Sequence, residues 1–327
     1  MMIKTIDAHI AGTPIRLIVG GFPSPSGTTM ADKREWARAE MDHVRCLVMR
    51  EPRGHRDMTG AVLTEPADNA STAGVLFMDA NGYREVSALG AMAVAALAIQ
   101  HRLIVPSDGV SVTLDTLAGP VRASVTLTTE ESGDVVLDSA PAFVLHGGMT
   151  VDCAGRTLRV DVVASGACYA VVDAESAGVP LDLDRVAEIR RVGVAITEAV
   201  NRAIKVVHPL TGATSVAGTV VTSPAHHDPA LLRHVLVTAD GTVGRAPSGS
   251  GSGAVLAVLD AMGILVEGQP ITCEGMSGLT LSAEIAGRRQ VGDYPAVNVR
   301  LRGRVFTTGG HAFVLSDDDP LRNGLSM

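Results

Sequence analysis

Two segments of the sequence begin with serine and small residues and continue as apolar runs of helix-forming residues. The first covers residues 87–99, and the second covers residues 248–259 and starts Ser-Gly-Ser-Gly-Ser-Gly. Serine is a favoured cap at the N-terminus of a helix. The N-terminus of a buried helix presents unpaired N–H groups and a partial positive charge, which favour a carboxylate or a phosphate. The two segments therefore predict two anion-binding helix starts, each carrying a serine hydroxyl.

Two helix starts that face each other across a cleft would hold one small anion and place an acid or base on each of its faces. This geometry suits proton transfer at a single carbon, and it requires the two halves of the chain to be pseudo-symmetric. The alternative is structural, because the glycines after Ser248 also permit close packing, and composition alone favours this alternative. The interpretation as a dinucleotide-binding site has even less support, since the run is Gly-x-Gly-x-Gly and no apolar strand leads directly into it. No lysine follows that would indicate a P-loop.

The elements around these segments are short runs typical of β-strands, punctuated by Gly, Asp and Asn. Examples are residues 16–19, 121–127, 158–163, 234–238 and 297–301. Such strands favour antiparallel sheets over a βαβ series. The two serine-headed segments are apolar nearly all round, which is typical of buried helices. The pattern therefore predicts, in each half of the chain, a sheet around one buried helix. The two halves form a weak repeat, in which the helix starts are separated by about 160 residues. A third, amphipathic helix is expected over residues 183–206.

Composition limits the class of protein. A chain of 327 residues with 46% hydrophobic residues predicts two globular domains. A net charge of −8 without a basic stripe argues against a nucleic-acid partner. The longest apolar run, residues 88–99, is too short to span a bilayer, and the N-terminus lacks the apolar stretch of a signal peptide. We therefore expect a cytoplasmic protein with neither a membrane nor a nucleic-acid partner.

Cysteine and histidine spacing predicts no metal site. The four cysteines, at positions 46, 153, 168 and 273, form no Cys-x-x-Cys pair and have no zinc-like spacing with histidine, so we interpret them as buried, reduced thiols. His226 and His227 lie in a Pro- and Asp-bounded segment, where a solvated turn is favoured over a metal site.

Several segments, in order along nearly the whole chain, resemble motifs of the proline racemase superfamily. These are residues 7–16 (DAHIAGTPIR), 51–61 (EPRGHRDMTGA), 82–83, 207–209 (VHP), 239–241 (ADG), 244–251 (GRAPSGSG) and 318–321 (DDPL). The resemblance implies an α+β fold like that of diaminopimelate epimerase, with two pseudo-symmetric β-barrel-like domains, each wrapped around a central buried helix. The first domain is expected to cover residues 1–137 and 305–327 and the second residues 138–304, with the active-site cleft between them.

The resemblance also implies site residues. The two cysteines that face the substrate Cα in racemases of this family align with Ser87 and Ser248. Dehydratases of the family carry Thr-Gly-Ser-Gly at the second position, and the sequence from Ser248 is nearest to that version. The substrate-binding residues implied are those at the two helix starts, namely Ala88, Leu89, Gly90, Gly249 and Ser250.

Three positions depart from the family pattern. The His and Asp that contact the substrate's ring nitrogen in the family are replaced by Leu89 and Gly244, and the Glu of the opening motif is replaced by Thr13. Serine is far less acidic than cysteine and is a poor base without an activating partner, which disfavours two-base racemisation. His9 and His55 are alternative bases.

The resemblance predicts a cofactor-independent homodimer whose partner molecule is a small, proline-like carboxylate. The favoured function is an enzyme acting at Cα of a proline or hydroxyproline, of the trans-3-hydroxy-L-proline dehydratase type. A first alternative is a divergent or inactive member that binds a small carboxylate. A second is a proline racemase or 4-hydroxyproline epimerase, which Ser87 and Ser248 disfavour.

Overall fold

The computed structural model describes residues 2–106, 108–224 and 232–325. His226 and His227 lie outside the described residues. The chain divides into two units, one formed by Met1–Leu137 with Gly303–Met327 and the other by Asp138–Arg302. The long final strand, β16 (Tyr294–Val314), contributes residues to both units.

The first unit contains eight further strands and three helices. In chain order they are β1 (Met2–Ile10), β2 (Thr13–Gly20), α1 (Met30–Glu40), α2 (Asp42–Met49), β3 (Thr59–Thr64), β4 (Ala73–Met78), β5 (Tyr83–Arg84), α3 (Ala88–Gln100), β6 (Ser111–Thr116), β7 (Gly119–Leu127) and β8 (Ser132–Asp138). The sheet runs β1-β2-β3-β4-β6-β7-β8-β16, and β5 pairs with β4. Because β16 also pairs with β1, from Met2 opposite Val314 onwards, the sheet closes into a barrel.

The second unit repeats this plan. In chain order it contains β9 (Ala142–Cys153), β10 (Arg156–Ser165), β11 (Ala167–Asp173), α4 (Ala174–Ala177), a 3₁₀ turn (Leu183–Arg185), α5 (Val186–Ala203), β12 (Val216–Pro224), β13 (Leu232–Thr238), α6 (Gly249–Ala261), β14 (Ile271–Glu274) and β15 (Thr280–Val291). The sheet runs β16-β15-β14-β13-β12-β11-β10-β9. Pairing of Val297 on β16 with Ala142 on β9 closes this second barrel.

Each barrel encloses one helix. Helix α3 contacts β1, β2, β3, β6 and β7, and its residues from Ala91 to Ala98 are fully buried. Helix α6 contacts β9 to β13 and β15, and its residues from Gly251 to Ala257 are buried. Alanine and glycine on these helices allow the strands to approach from every side, which is why apolar, small-residue sequences form them. The predicted α+β architecture, with a barrel around a central helix in each half, is therefore confirmed.

The strand pairing is less uniform than the sequence predicts. Most pairings are antiparallel, but four are parallel: β2 with β3, β4 with β6, β11 with β12, and β13 with β14. Each parallel pair is joined through helices, because parallel neighbours need a long crossover connection. The two central helices are themselves such crossovers. Helices α1 and α2 were not predicted from the sequence, whereas the helix expected over residues 183–206 is present as the 3₁₀ turn and α5.

All four cysteines are buried and none forms a disulfide, as the sequence predicts. Within the described part of the chain, no helix combines the length and the apolarity needed to cross a membrane.

Candidate functional site

Ser87 caps the central helix of the first unit. Its backbone is extended, and its Oγ accepts a hydrogen bond from the Gly90 amide at 3.0 Å. Its carbonyl accepts the first intrahelical bond, from Ala91, at 2.7 Å. Because Oγ acts as the acceptor in this cap, the hydroxyl proton is not used by it and can be donated elsewhere.

Ser248 caps the central helix of the second unit in the same way. Its Oγ accepts from the Gly251 amide at 3.2 Å, and its carbonyl accepts from the Ser252 amide at 2.7 Å. A second hydroxyl joins this start, since the Oγ atoms of Ser248 and Ser250 are 3.2 Å apart and one donates to the other. The second helix start therefore carries a pair of coupled hydroxyls.

Each helix start also presents two amides without an intrahelical carbonyl. They belong to Ala88 and Leu89 on α3, and to Gly249 and Ser250 on α6. No acceptor for these amides occurs among residues 2–106, 108–224 and 232–325. Together with the partial positive charge of the helix N-terminus, such amides form an electrostatic site for an anion. The residues predicted at each start thus lie together within their own unit.

Both starts need glycine as their third helical residue. A Cβ on Gly90 would lie 2.8 Å from the Phe77 ring and 2.9 Å from the Ser87 side chain. A Cβ on Gly251 would lie 3.0 Å from the His234 ring and 3.1 Å from Ser248 Cβ. In both cases the capping serine and one ring pack directly against the helix start, and only glycine fits without displacing them.

The ring behind the second start is a buried histidine that the sequence analysis did not select. His234 lies on β13 with no exposed surface, and its Nε2 is 3.2 Å from the Ser248 carbonyl oxygen. A carbonyl can only accept, so Nε2 carries a proton. Burial lowers the pKa of His234 to about 4, and the hydrogen bond to Ser248 opposes this only in part. The ring is therefore neutral near pH 7, as the Nε2–H tautomer.

Two further polar groups line this buried position. Ser252 is fully buried, and its Oγ is 3.5 Å from His234 Nε2. Burial raises the pKa of the nearby Cys273 thiol to about 11, against a smaller lowering by its hydrogen bond with Ser252. The thiol is thus protonated near neutral pH and packs as a small core residue. Burial likewise raises the pKa of Cys168 to about 11, so it is not a thiolate base.

The motif over residues 51–61 is held by a buried ion pair in the first unit. Arg16 donates to the Asp7 carboxylate at 2.7 Å, and also to the carbonyls of Val48 at 2.6 Å and Arg53 at 2.5 Å. The guanidinium lies 4.7 Å from the centroid of the Phe313 ring, as a cation–π contact. These contacts give the charges of the opening motif a structural role, namely fixing the loop after α2.

The alternative bases have different surroundings. His9 lies on β1 and stacks on the Phe306 ring, with the ring centroids 5.2 Å apart. His55 lies in the turn between α2 and β3. A role for either as a base stays a prediction. Leu89 is buried, with 6% of its surface exposed. The Gly244 amide donates to the Leu236 carbonyl at 2.9 Å, which extends the strand pairing. Neither supplies a polar side chain.

For the part of the chain that the structure describes, no group of three or more His, Cys, Asp or Glu side chains could hold a metal ion.

Comparisons with known proteins agree with these features. Residues 5–326 match the family model described as proline racemase. The chain is 30% identical to a proline racemase of Clostridioides difficile, over 99% of this chain and 98% of the relative. It is 33% identical to a trans-3-hydroxy-L-proline dehydratase of Bacillus cereus, over 99% of this chain and 97% of the relative.

A solved structure has the same fold. It is a hydroxyproline epimerase from Agrobacterium vitis with bound trans-4-hydroxy-L-proline, and it superposes with a TM-score of 0.88 at 25% identity. The alignment covers the whole of this chain and 95% of that chain. The fold expected from the sequence is thereby confirmed, whereas relatives at this level of identity carry out different reactions.

Proposed function

The chain belongs to the proline racemase family, and from that premise we propose that it is a cofactor-independent lyase that eliminates water from trans-3-hydroxy-L-proline or a close analogue. The observation that carries this proposal is the pair of coupled hydroxyls, Ser248 and Ser250, at the start of α6. An elimination needs a proton donor for the departing hydroxyl, and this pair supplies one beside an anion-binding helix start.

The carboxylate of the substrate is the kind of anion that a helix start would hold. Within each unit the amides at the helix start, those of Ala88 and Leu89 or those of Gly249 and Ser250, need no reorganisation to accept an anion. A proline-type substrate has its reacting Cα directly attached to this carboxylate. A carboxylate bound at the α6 start would therefore place Cα near Ser248, the serine that caps this helix, in the proposed complex.

The proposed reaction removes the proton from Cα and expels the hydroxyl from the neighbouring ring carbon. The electron pair of the Cα–H bond forms a carbon–carbon double bond, and the C–O bond breaks as the oxygen takes a proton from Ser248 Oγ. Ser248 accepts a hydrogen bond from Gly251, which stabilises the oxygen as it gives up its proton. Ser250 then re-protonates Ser248 and regains its own proton from solvent water. We assign the role of proton acceptor at Cα to Ser87, whose Oγ takes the Cα proton while its own hydroxyl proton passes to solvent water.

The test is to incubate the protein in D2O with L-proline, trans-4-hydroxy-L-proline or trans-3-hydroxy-L-proline and to follow each by proton NMR. We expect trans-3-hydroxy-L-proline to lose its Cα proton and its hydroxyl, and the 4-hydroxy compound to lose no hydroxyl. We expect Ser248→Ala to lower the rate of elimination by about 100-fold or more, which is the usual contribution of a positioned general acid. Ser87→Cys is expected to raise the rate of Cα–H exchange, because a thiol is more acidic than a hydroxyl and supplies more of the basic, deprotonated form near neutral pH.

The matched control is Thr29→Ala. Thr29 caps α1 in the same way, since its Oγ1 accepts a hydrogen bond from the Asp32 amide at 3.1 Å. Removing this cap should have a comparable effect on stability without changing either central helix start. We expect this variant to retain full activity. Absence of exchange and elimination with all three amino acids, from folded protein, would contradict the proposal.

A second candidate function is supported by Leu89. In the family pattern this position and Gly244 carry the groups that contact the ring nitrogen, and here one is a buried apolar side chain and the other has none. A substrate ammonium would lack an acceptor and a counter-charge, which is unfavourable in a desolvated site. These residues favour a small carboxylate that has no ring amine.

Isothermal titration with cyclopentanecarboxylate and L-proline distinguishes the two candidates, because these compounds differ only in the ring nitrogen and its charge. Tighter binding of cyclopentanecarboxylate would favour the second function. Tighter binding of L-proline would favour the first.

A further inference from the structure

His234 is buried behind the start of α6 and acts on one particular peptide group. The Ser248 carbonyl that its Nε2 contacts at 3.2 Å belongs to the same peptide unit as the Gly249 amide. A trans peptide is planar, and its C=O and N–H point in opposite directions. Fixing the Ser248 carbonyl therefore fixes the direction of the Gly249 N–H, which is the first free amide of the helix start.

The Ser248 carbonyl is held by two donors. The Ser252 amide reaches it at 2.7 Å, as the first bond of the helix, and His234 supplies the second donor from β13. Hydrogen bonds to a carbonyl polarise the whole amide, so the N–H on the other side of the peptide becomes a stronger donor. The histidine thus affects both the orientation and the strength of the Gly249 amide.

The second nitrogen of the His234 ring has different surroundings. His234 Nδ1 has no hydrogen-bond partner within residues 2–106, 108–224 and 232–325, although it is fully buried. A leucine would fill the same space without an unpaired polar atom, whose burial is unfavourable. The hydrogen bonds of Nε2, with the Ser248 carbonyl at 3.2 Å and with Ser252 Oγ at 3.5 Å, account for the presence of histidine here.

We infer that His234 is a positioning residue, which orients and strengthens the Gly249 amide for a substrate carboxylate through its Nε2–H bond to the Ser248 carbonyl. This inference rests on the proposed carboxylate-binding role of the α6 start. It assigns to His234 no contact with the substrate itself. The neutrality of the ring follows from its burial, which lowers the pKa to about 4, so the bond persists across the physiological pH range.

The experiment uses the full chain, labelled with nitrogen-15, and compares wild type with His234→Leu, His234→Gln and Ser252→Ala. In wild type we expect the His234 ring to show the Nε2–H tautomer. In His234→Leu we expect the Gly249 amide nitrogen to move to lower frequency, because a hydrogen bond to the preceding carbonyl deshields it. Glutamine keeps a donor near the Nε2 position and is expected to restore most of the shift. Ser252→Ala keeps the backbone bond to Ser248 and is expected to leave Gly249 close to its wild-type position.

Acetate, followed through the Gly249 and Ser250 amides, is the probe for anion binding. We expect His234→Leu to weaken acetate binding about two- to tenfold, which corresponds to one hydrogen bond, and His234→Gln to bind nearly as wild type does. An Nδ1–H tautomer would overturn the inference. An unchanged chemical shift of the Gly249 amide nitrogen in His234→Leu would also overturn it. Neither the Gly249 chemical shift nor acetate binding depends on turnover. If the protein fails to catalyse the elimination but the His234 variants change both measurements as expected, only the proposed function is refuted.

Discussion

The starts of the two central helices share their backbone design and differ in what lies behind them. Ser87 and Ser248 cap their helices identically, each accepting from the amide three residues later. Behind the first start lies the Phe77 ring, in an apolar core. Behind the second lies His234, bonded to the capping residue. The repeated part is therefore the amide geometry, whereas the polar chemistry is concentrated at the second start.

The same helices end alike. The amides of Leu103 and Ile264 each bond to the carbonyl five residues earlier, and the residue before each is left-handed. This is the Schellman arrangement, which usually requires glycine at the left-handed position. The second helix has Gly263 there with φ of 72°, whereas the first has Arg102 with φ of 55°. The repeat is therefore maintained by hydrogen bonding, even where the preferred residue is missing.

The largest expected difference between the two starts concerns acid stability, because only the second contains a histidine. His234 has a pKa of about 4 in the folded protein and an ordinary value of 6.5. Between these values the unfolded chain binds a proton that the folded chain does not, so stability falls as the pH decreases from about 6.5 towards 4. The shift corresponds to roughly 3 kcal/mol. Denaturant unfolding at pH 7 and pH 4 should show that His234→Gln loses about that much less stability than wild type. Equal losses would contradict the difference.

The next effect concerns space at the third helical residue. Gly90→Ala places a methyl group against the Phe77 ring at 2.8 Å, and we expect it to lower the free energy of unfolding by about 2 kcal/mol. Gly251→Ala meets the His234 ring at the longer distance of 3.0 Å, so a smaller loss of about 1 kcal/mol is expected. Chemical denaturation of both variants measures the difference. A larger loss for Gly251→Ala would reverse the comparison.

The shared cap predicts equal effects. Ser87→Ala and Ser248→Ala each remove one hydrogen bond to a helix amide, and each is expected to lower the free energy of unfolding by about 1 kcal/mol. Thermal unfolding of the two variants is the measurement. Clearly unequal losses would show that the coupling of Ser248 to Ser250 also contributes to stability.

The smallest expected effects concern the left-handed residues at the C-terminal ends of the two central helices. Arg102→Gly relieves a left-handed residue, and we expect a gain of roughly 0.5 kcal/mol, since the greater freedom of glycine in the unfolded chain opposes the relief. Gly263→Ala introduces that strain with open space around the new methyl group, and a loss of about 1 kcal/mol is expected. Denaturant titration checks both signs. A stabilised Gly263→Ala would show that the left-handed conformation is not required there.

Much of the fold is readable from the sequence, because its signals are local. The two serine-headed segments predict their helices through composition and caps, and the ordered motifs indicate the family. Helices α1 and α2 were not predicted because they carry polar residues, Lys33 and Arg45, that are buried only through contacts made on folding. Arg45, for example, donates to the carbonyls of Asp79 and Ala80, more than 30 residues away.

The two helix starts, the serines that cap them and the free amides that follow could be predicted from the sequence alone, since each depends on residues within one helical turn. The pairing of Met2 with Val314, which closes the first barrel, and the bond between His234 and Ser248 became visible only in the folded chain. These contacts join residues that are distant in the chain. Their identity depends on strand order and register, which no short stretch of sequence specifies.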